Sequence, residues 1–270
     1  MTGMRQAVRI DGRHVSYLES GVPEGRVLLL LHAFPLSADM YRAQLESVPS
    51  GWRLIAPDLP GLGLSEDGDE APTLDDYATT ILQLLDRLAL PSAAIGGVSL
   101  GGYVAMAIAR LAPRSVARLV LADTKAPADD EHARQGRDQM IARLDDQGIE
   151  AVADVMVPRL LGATTQRERP DVVQQVRSLI LDNQPEGVER AILRLRDRPD
   201  ATSGLAAISV PTLVLVGDED EVTPPAEAQR LAAAIAGARL ERIPFAGHLA
   251  CLEQPQAFNR ALWTFLDSHA

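Results

Sequence analysis

A serine with a glycine two positions before it and another two positions after it is the first feature that suggests chemistry. Residues 97–101 are Gly-Val-Ser-Leu-Gly, between an apolar run and a helix-like run. A sharp strand-to-helix turn crowds its central residue, and the flanking glycines remove the clashing Cβ atoms. A plain glycine-rich turn has the same pattern. In this context the pattern predicts an exposed Ser99 hydroxyl at the carboxyl end of a sheet, with the Leu100 N–H as a candidate oxyanion donor.

One histidine and two acidic loops are the candidates for activating Ser99. A serine hydroxyl needs a base to accept its proton, and a histidine base needs a carboxylate partner. His248 is the histidine that follows a predicted strand and precedes a predicted helix. Residues 218–221, Asp-Glu-Asp-Glu, follow one buried strand, and Asp123 ends another. The residues alone leave both loops open as the source of the acid. Three other histidines lie in segments typical of the protein surface: His14, His132 and His269.

Apolar and alternating runs predict the elements that must position these groups. The first two strands form a hairpin through an Asp-Gly turn, and continuous apolar runs are typical of strands buried on both faces. Helical spacing lies between the later strands, and Thr73 is a predicted N-cap. This alternation predicts a mostly parallel eight-stranded sheet with helices on both faces, an α/β fold. The predicted strands are 7–10, 13–19, 27–31, 53–56, 93–96, 116–122, 212–216 and 238–243.

Residues 124–207 interrupt the alternation of strands and helices. This interval has no buried-strand run, and its apolar residues recur at helical spacing between several glycines and prolines. We predict about four helices inserted after the sixth strand, forming a cap over Ser99; four ordinary packing helices are the alternative. Residues 1–123 and 208–270 then form the core domain, and residues 124–207 form the cap.

Together these motifs resemble the α/β-hydrolase superfamily over nearly the whole chain. The family ends its last strand with a glycine-histidine loop, which implies that His248 is the general base. Similar proteins place the acid three residues after a glycine and before a Thr-Pro-Pro helix start. That spacing selects Asp220, which follows Gly217. Some relatives carry the acid after the preceding strand, so Asp123 is the rival.

The resemblance also implies a second oxyanion donor. Residues 32–35, His-Ala-Phe-Pro, resemble the family's His-Gly-x-Pro stretch, with Ala33 in place of glycine. The matching donor is the N–H of Phe34, acting together with the N–H of Leu100. Family members use the histidine of this stretch to brace the loop, so we expect a structural role for His32.

Composition and the remaining motifs narrow the function classes. A net charge of −11 argues against nucleic acid or an anionic membrane as partner. The stretch 58–65 contains two closely spaced glycines. It lacks both the Lys-Ser/Thr pair of a phosphate-binding loop and the third glycine of a dinucleotide-binding loop. No spacing typical of metal ligands occurs, so we expect no metal or other cofactor. Cys251 is the single cysteine and excludes an intrachain disulfide. Without a signal or transmembrane stretch, we expect a cytoplasmic monomer or homodimer.

These residues predict a serine hydrolase that cleaves small carboxylic esters through an acyl-enzyme. The pattern is similar to esterases and 3-oxoadipate enol-lactonases, so a lactone is an alternative substrate. Cofactor-free perhydrolases and carbon–carbon bond hydrolases share the same three side chains. Dehalogenases and epoxide hydrolases instead need a carboxylate at the position of Ser99. A ligand-binding protein on the same fold is the alternative outside enzymes.

Overall fold

One eight-stranded sheet lies at the centre of the molecule. The computed structural model describes residues 3–68 and 73–268, so His269 lies outside the described residues. The strand order is β1-β2-β4-β3-β5-β6-β7-β8, and strands β3 to β8 run parallel, whereas β2 is antiparallel to both neighbours. The mostly parallel sheet expected from the sequence is confirmed. The strands are β1 (Met4–Ile10), β2 (Arg13–Gly21), β3 (Arg26–Leu31), β4 (Trp52–Pro57), β5 (Ala93–Val98), β6 (Val116–Ala122), β7 (Thr212–Gly217) and β8 (Arg239–Ile243).

The central strands are apolar because helices cover the sheet on both faces. Every residue of β5 and of β7 is buried, as their continuous apolar sequences predict. Strand β5 is longer than its predicted run, since it continues through Gly97 to Val98. Most residues of the edge strand β1 are exposed or partly buried, and only its last residue, Ile10, is buried.

Helices of the core connect the strands, and their ends follow local sequence signals. The helix after residue 73 has the predicted N-cap: the Asp76 N–H donates to Thr73 Oγ1, and the Thr73 N–H donates to the Asp76 carboxylate. Between β3 and β4, a short 3₁₀ helix is followed by one α-helical turn. The core helices are α1 (Arg42–Glu46), α2 (Leu74–Arg87), α3 (Leu100–Leu111), α9 (Pro225–Ala234), α10 (Ala250–Glu253) and α11 (Pro255–Asp267).

Five α-helices of the cap lie between β6 and β7, one more than the sequence predicts. The extra helix, α6, has six residues between Gly162 and Pro170, too few to show a helical period. The division of the chain into core and cap domains stays a prediction. The cap helices are α4 (Glu131–Gln147), α5 (Ile149–Leu160), α6 (Ala163–Glu168), α7 (Pro170–Leu181) and α8 (Pro185–Arg196).

Ion pairs and hydrogen bonds tie the cap to the core. Asp67 of the core pairs with Arg190 and Arg194 of α8 at 2.9 and 2.7 Å. At the end of α7, the Asn183 side chain donates to the Pro35 carbonyl and accepts from the Gly63 N–H. Several core loops are thus held in place by the cap. No helix in residues 3–68 and 73–268 has the length and apolar character needed to cross a membrane.

Candidate active site

Ser99 lies at the apex of the turn between β5 and α3. Its backbone has φ 54° and ψ −112°, a conformation that residues other than glycine rarely adopt. Hydrogen bonds hold this strained geometry on both sides. The Ser99 N–H donates to the Ala122 carbonyl at 2.9 Å, and the Ser99 carbonyl accepts from Thr124 Oγ1 at 2.9 Å. The hydroxyl-bearing side chain remains half-buried at the carboxyl edge of the sheet.

The glycines around Ser99 are required by close backbone contacts. A Cβ atom on Gly97 would overlap the carbonyl group of Gly101, and a Cβ on Gly101 would overlap the carbonyl of Leu31. Larger residues would therefore push α3 away from β3 and β5. The spacing of the motif follows from this packing of a helix start against two strands.

His248 lies between Ser99 and Asp220. Its Nε2 is 2.8 Å from Ser99 Oγ, and its Nδ1 is 2.9 Å from Asp220 Oδ2. The Asp220 carboxylate can only accept, so Nδ1 carries the proton, and the Nε2 lone pair faces the serine hydroxyl. Both His248 and Asp220 are buried. The three side chains predicted from the sequence thus form one continuous hydrogen-bonded line.

The Asp220 carboxylate is held by donors from its own loop. Oδ1 accepts from the N–H groups of Val222 and Thr223 at 2.8 and 2.9 Å, and Oδ2 accepts from Thr223 Oγ1 at 2.6 Å. Burial raises the pKa of Asp220, but the adjacent His248 and the Thr223 hydrogen bonds outweigh it and leave the pKa below its usual value. The carboxylate is therefore ionised and ready to stabilise an imidazolium. Sequence analysis missed the role of the Thr223 hydroxyl.

Asp123, the rival acid, has different partners. Its Oδ1 accepts from the Gly217 N–H at 2.8 Å, and its Oδ2 accepts from the Ala250 N–H at 3.2 Å. Burial, reinforced by the charge of Asp220, raises its pKa well above the usual value. The structure therefore places Asp220, and not Asp123, against the His248 ring.

The two predicted oxyanion donors lie at neighbouring strand ends. Leu100 is the first residue of α3, and Phe34 follows β3, which pairs directly with β5. Neither N–H donates a hydrogen bond to another described residue, and both stay the predicted oxyanion donors. The His32 ring is buried, with Nε2 accepting from the Leu59 N–H at 2.9 Å and Nδ1 3.0 Å from the Ala33 carbonyl. It braces the loop, as expected.

The sequence analysis assigns no role at the site to two buried groups near His248, Glu253 and Cys251. Glu253 is fully buried and binds backbone N–H groups on both sides of His248. An acid five residues after His248, in an otherwise apolar stretch, is the signal that could have found it. Cys251 is a buried free thiol with a pKa raised by burial, consistent with packing. The described residues contain no cluster of three or more His, Cys, Asp or Glu suited to a metal ion.

Several known proteins resemble this chain over nearly its whole length. One relative is 3-oxoadipate enol-lactonase 2 of Acinetobacter baylyi, 27% identical over 92% of this chain and 91% of its own. A solved thermophilic esterase from Thermogutta terrifontis is 36% identical, with a TM-score of 0.92 and 98% of both chains covered. The enol-lactonase from Burkholderia xenovorans is 25% identical, with a TM-score of 0.90 over 97% of this chain and 99% of its own.

A family model described as the alpha/beta hydrolase fold matches residues 26–255. The match includes the turn at Ser99, the Asp220 loop and His248. It also spans the cap and six of the eight strands, β3 to β8. The chain therefore belongs to the alpha/beta hydrolase family.

Proposed function

We propose that this protein is a serine hydrolase that cleaves small carboxylic esters through an acyl-enzyme intermediate. The observation that carries the proposal is the unbroken line from Ser99 Oγ through His248 to Asp220, with separations of 2.8 and 2.9 Å. These distances permit proton transfer from the serine to the imidazole and stabilisation of the resulting imidazolium. Similarity to esterases and lactonases supports the same class of reaction.

In the first half-reaction, Ser99 Oγ attacks the ester carbonyl carbon while its proton moves to His248 Nε2. The carbonyl oxygen becomes an oxyanion, which accepts hydrogen bonds from the N–H groups of Phe34 and Leu100. Collapse of this tetrahedral intermediate breaks the bond to the alcohol oxygen, which takes the proton from His248. The alcohol leaves, and the acyl group remains on Ser99.

In the second half-reaction, water replaces the alcohol. His248 Nε2 accepts a proton from water as the water oxygen attacks the acyl carbon, and the same two N–H groups hold the new oxyanion. Collapse breaks the bond to Ser99 Oγ, and the proton returns from His248 to the serine. The carboxylic acid is released, and no metal or organic cofactor enters any step.

Hydrolysis of p-nitrophenyl esters from acetate to long acyl chains tests the proposal. Ser99→Ala is expected to lower kcat by about 10⁴-fold or more, because the nucleophile is lost. Ser203→Ala, an exposed serine in the 3₁₀ helix before β7, is the matched control and should retain wild-type activity. Turnover that survives in Ser99→Ala, or a wild type inactive on every ester, would contradict the proposal.

A lactone is the second candidate substrate, favoured by similarity to two enol-lactonases. The chemistry is the same, except that the alcohol stays joined to the acyl group. A kcat/KM for an enol-lactone more than about tenfold above the best p-nitrophenyl ester would favour the lactonase. Peracid formation, carbon–carbon cleavage or binding without turnover become the alternatives if both substrate classes fail.

A further inference from the structure

Glu253 is a buried carboxylate bonded to the loop that carries His248. Its Oε1 accepts from the Gly247 N–H at 2.8 Å and from the Leu249 N–H at 3.2 Å, the residues immediately before and after His248. Its side chain lies at the end of α10 and is fully buried. One carboxylate oxygen therefore fixes the backbone on both sides of the proposed base.

The second oxygen of Glu253 connects the same loop to the cap. Oε2 accepts from the Gly162 N–H at 2.8 Å, just beyond α5. The last residue of α5, Leu160, accepts from the His248 N–H through its carbonyl at 3.1 Å. The three consecutive N–H groups from 247 to 249 are thus bound either to Glu253 or to the cap segment that Glu253 holds.

A buried carboxylate is costly unless hydrogen bonds compensate for its lost hydration. Burial leaves the pKa of Glu253 above its usual value, although the Thr165 hydroxyl and then the N–H groups of Gly162, Gly247 and Leu249 act in the opposite direction. All three backbone N–H groups donate, and the two oxygens of the carboxylate accept from them together. An amide presents one acceptor and two donors and must leave part of this arrangement unsatisfied.

We propose that Glu253 is a positioning residue for His248, holding Nε2 in line with Ser99 Oγ through the backbone on either side of the ring. The inference rests on the proposed serine hydrolase function. It assigns Glu253 no contact with the substrate. Glu253 affects the reaction through His248. A positioning role therefore requires His248 to be present, whereas a general contribution to stability does not.

A double-mutant cycle with Glu253→Gln and His248→Ala measures this dependence. In the wild-type background, Glu253→Gln is expected to lower kcat for p-nitrophenyl acetate by about 10- to 100-fold, the scale of a small misplacement of a reacting group. KM should change by less than about twofold. In the His248→Ala background the same change should have less than about a twofold effect, because there is no ring left to position. Equal losses in both backgrounds would overturn the proposal.

Glu219→Gln is the matched control for the cap attachment. The Glu219 carboxylate accepts from Thr164 through its N–H at 2.8 Å and its hydroxyl at 2.5 Å, so it anchors the neighbouring cap residue without binding the N–H groups around His248. This variant should keep kcat within about threefold of the wild type. A loss as large as that of Glu253→Gln would assign the effect to the cap attachment and overturn the proposal.

Labelling of Ser99 by a fluorophosphonate separates this proposal from the proposed function. A wild type that labels at Ser99, with an equally fast Glu253→Gln, would overturn the positioning role alone. A wild type that neither labels nor hydrolyses esters would overturn the proposed function.

In that case a crystal structure of Glu253→Gln tests the positioning role. An unchanged separation between His248 Nε2 and Ser99 Oγ would contradict it. If Glu253→Gln does not fold, Glu253→Asp, which keeps the charge but shortens the reach, enters the same cycle.

Discussion

Asp123 and Asp220 follow neighbouring parallel strands, yet only one reaches His248. Asp123 comes directly after β6, and its N–H still donates to the Leu215 carbonyl of β7 at 2.9 Å. It therefore remains at the sheet edge, with its carboxylate on backbone N–H groups. Asp220 lies three residues beyond β7, in a turn closed by its N–H and the Gly217 carbonyl. That turn carries it out to the His248 ring.

This difference separates an acid that serves structure from one proposed to serve catalysis. Both carboxylates are buried and both accept backbone N–H groups, so burial and hydrogen bonding alone do not distinguish them. Their pKa values shift in opposite directions, because Asp220 has His248 as a partner whereas Asp123 mainly faces burial and the charge of Asp220. The contact with His248, and not the position after a strand, is the observation on which the proposed role of Asp220 rests.

Removing the charge of Asp220 should have the largest effect. Asp220→Asn is expected to lower kcat by about 10³- to 10⁴-fold, because an amide can favour the wrong His248 tautomer and cannot stabilise the imidazolium. Steady-state kinetics on p-nitrophenyl acetate measure the loss. Asp218→Asn is the control and should leave kcat unchanged. Asp218 is an exposed acid in the same loop as Asp220, and it pairs with Arg242 of β8. A loss in kcat of less than about tenfold in Asp220→Asn would contradict the proposed catalytic role of Asp220.

Asp123→Asn should affect stability more than catalysis. An amide cannot accept from both Gly217 and Ala250 in place of the two carboxylate oxygens, so we expect a loss of about 1–3 kcal/mol in the free energy of unfolding. Urea denaturation measures this loss. Catalysis should fall by less than about tenfold, since the ring contact is unaffected. A kcat as low as that of Asp220→Asn would make Asp123 part of the catalytic line.

Thr223→Val tests how much the Thr223 hydroxyl contributes to holding the Asp220 carboxylate in place. The variant removes the hydroxyl that donates to Asp220 Oδ2 while leaving the backbone N–H in place. We expect kcat to fall by about 3- to 10-fold, equivalent to about 1 kcal/mol for one hydrogen bond. Thr223→Ser keeps the hydroxyl and should stay closer to the wild type. Equal activity in the Val and Ser variants would show that the hydroxyl does not matter.

The opposite pKa shifts predict a smaller effect, visible in the pH dependence of stability. The pKa of Asp220 is lower in the folded state than in the unfolded state. Its contribution to the free energy of unfolding is therefore present above the unfolded pKa of about 3.9 and is lost as the pH falls through the folded pKa. The pKa of Asp123 is higher in the folded state, so its contribution is present at low pH and is lost as the pH rises through the folded value.

Urea denaturation from about pH 3 to about pH 7 can compare the two variants with the wild type. The stability of the wild type relative to Asp220→Asn should increase with rising pH. Its stability relative to Asp123→Asn should decrease over the same range. Two slopes of the same sign would contradict pKa shifts of opposite direction for Asp220 and Asp123.

The core was predictable because its signals are local. Buried parallel strands are continuous apolar runs, and the predicted bounds of β6 are those of the structure. The strained turn at Ser99 requires glycines at fixed spacing, so it is visible in the sequence. The cap gives weaker signals, and its short helix α6 escaped prediction because one or two turns do not establish a period.

The arrangement of the acids depended on contacts that no local pattern encodes. Asp220 and His248 are separated by 28 residues, and Gly162 binds Glu253 across 91 residues. The family resemblance favoured Asp220 over Asp123, but the residues alone left both open. Only the folded chain shows that one carboxylate faces the ring while Asp123 and Glu253 hold the backbone of neighbouring loops.

Trapping the acyl-enzyme tests the central claim most directly. The wild type, mixed with excess p-nitrophenyl acetate and quenched in acid during the first turnovers, should carry one acetyl group on the peptide that contains Ser99. The group should disappear after the substrate is exhausted, and in His248→Ala it should form far more slowly. An acetyl group on another residue, or steady turnover without any acetylated peptide, would contradict the mechanism built on Ser99, His248 and Asp220.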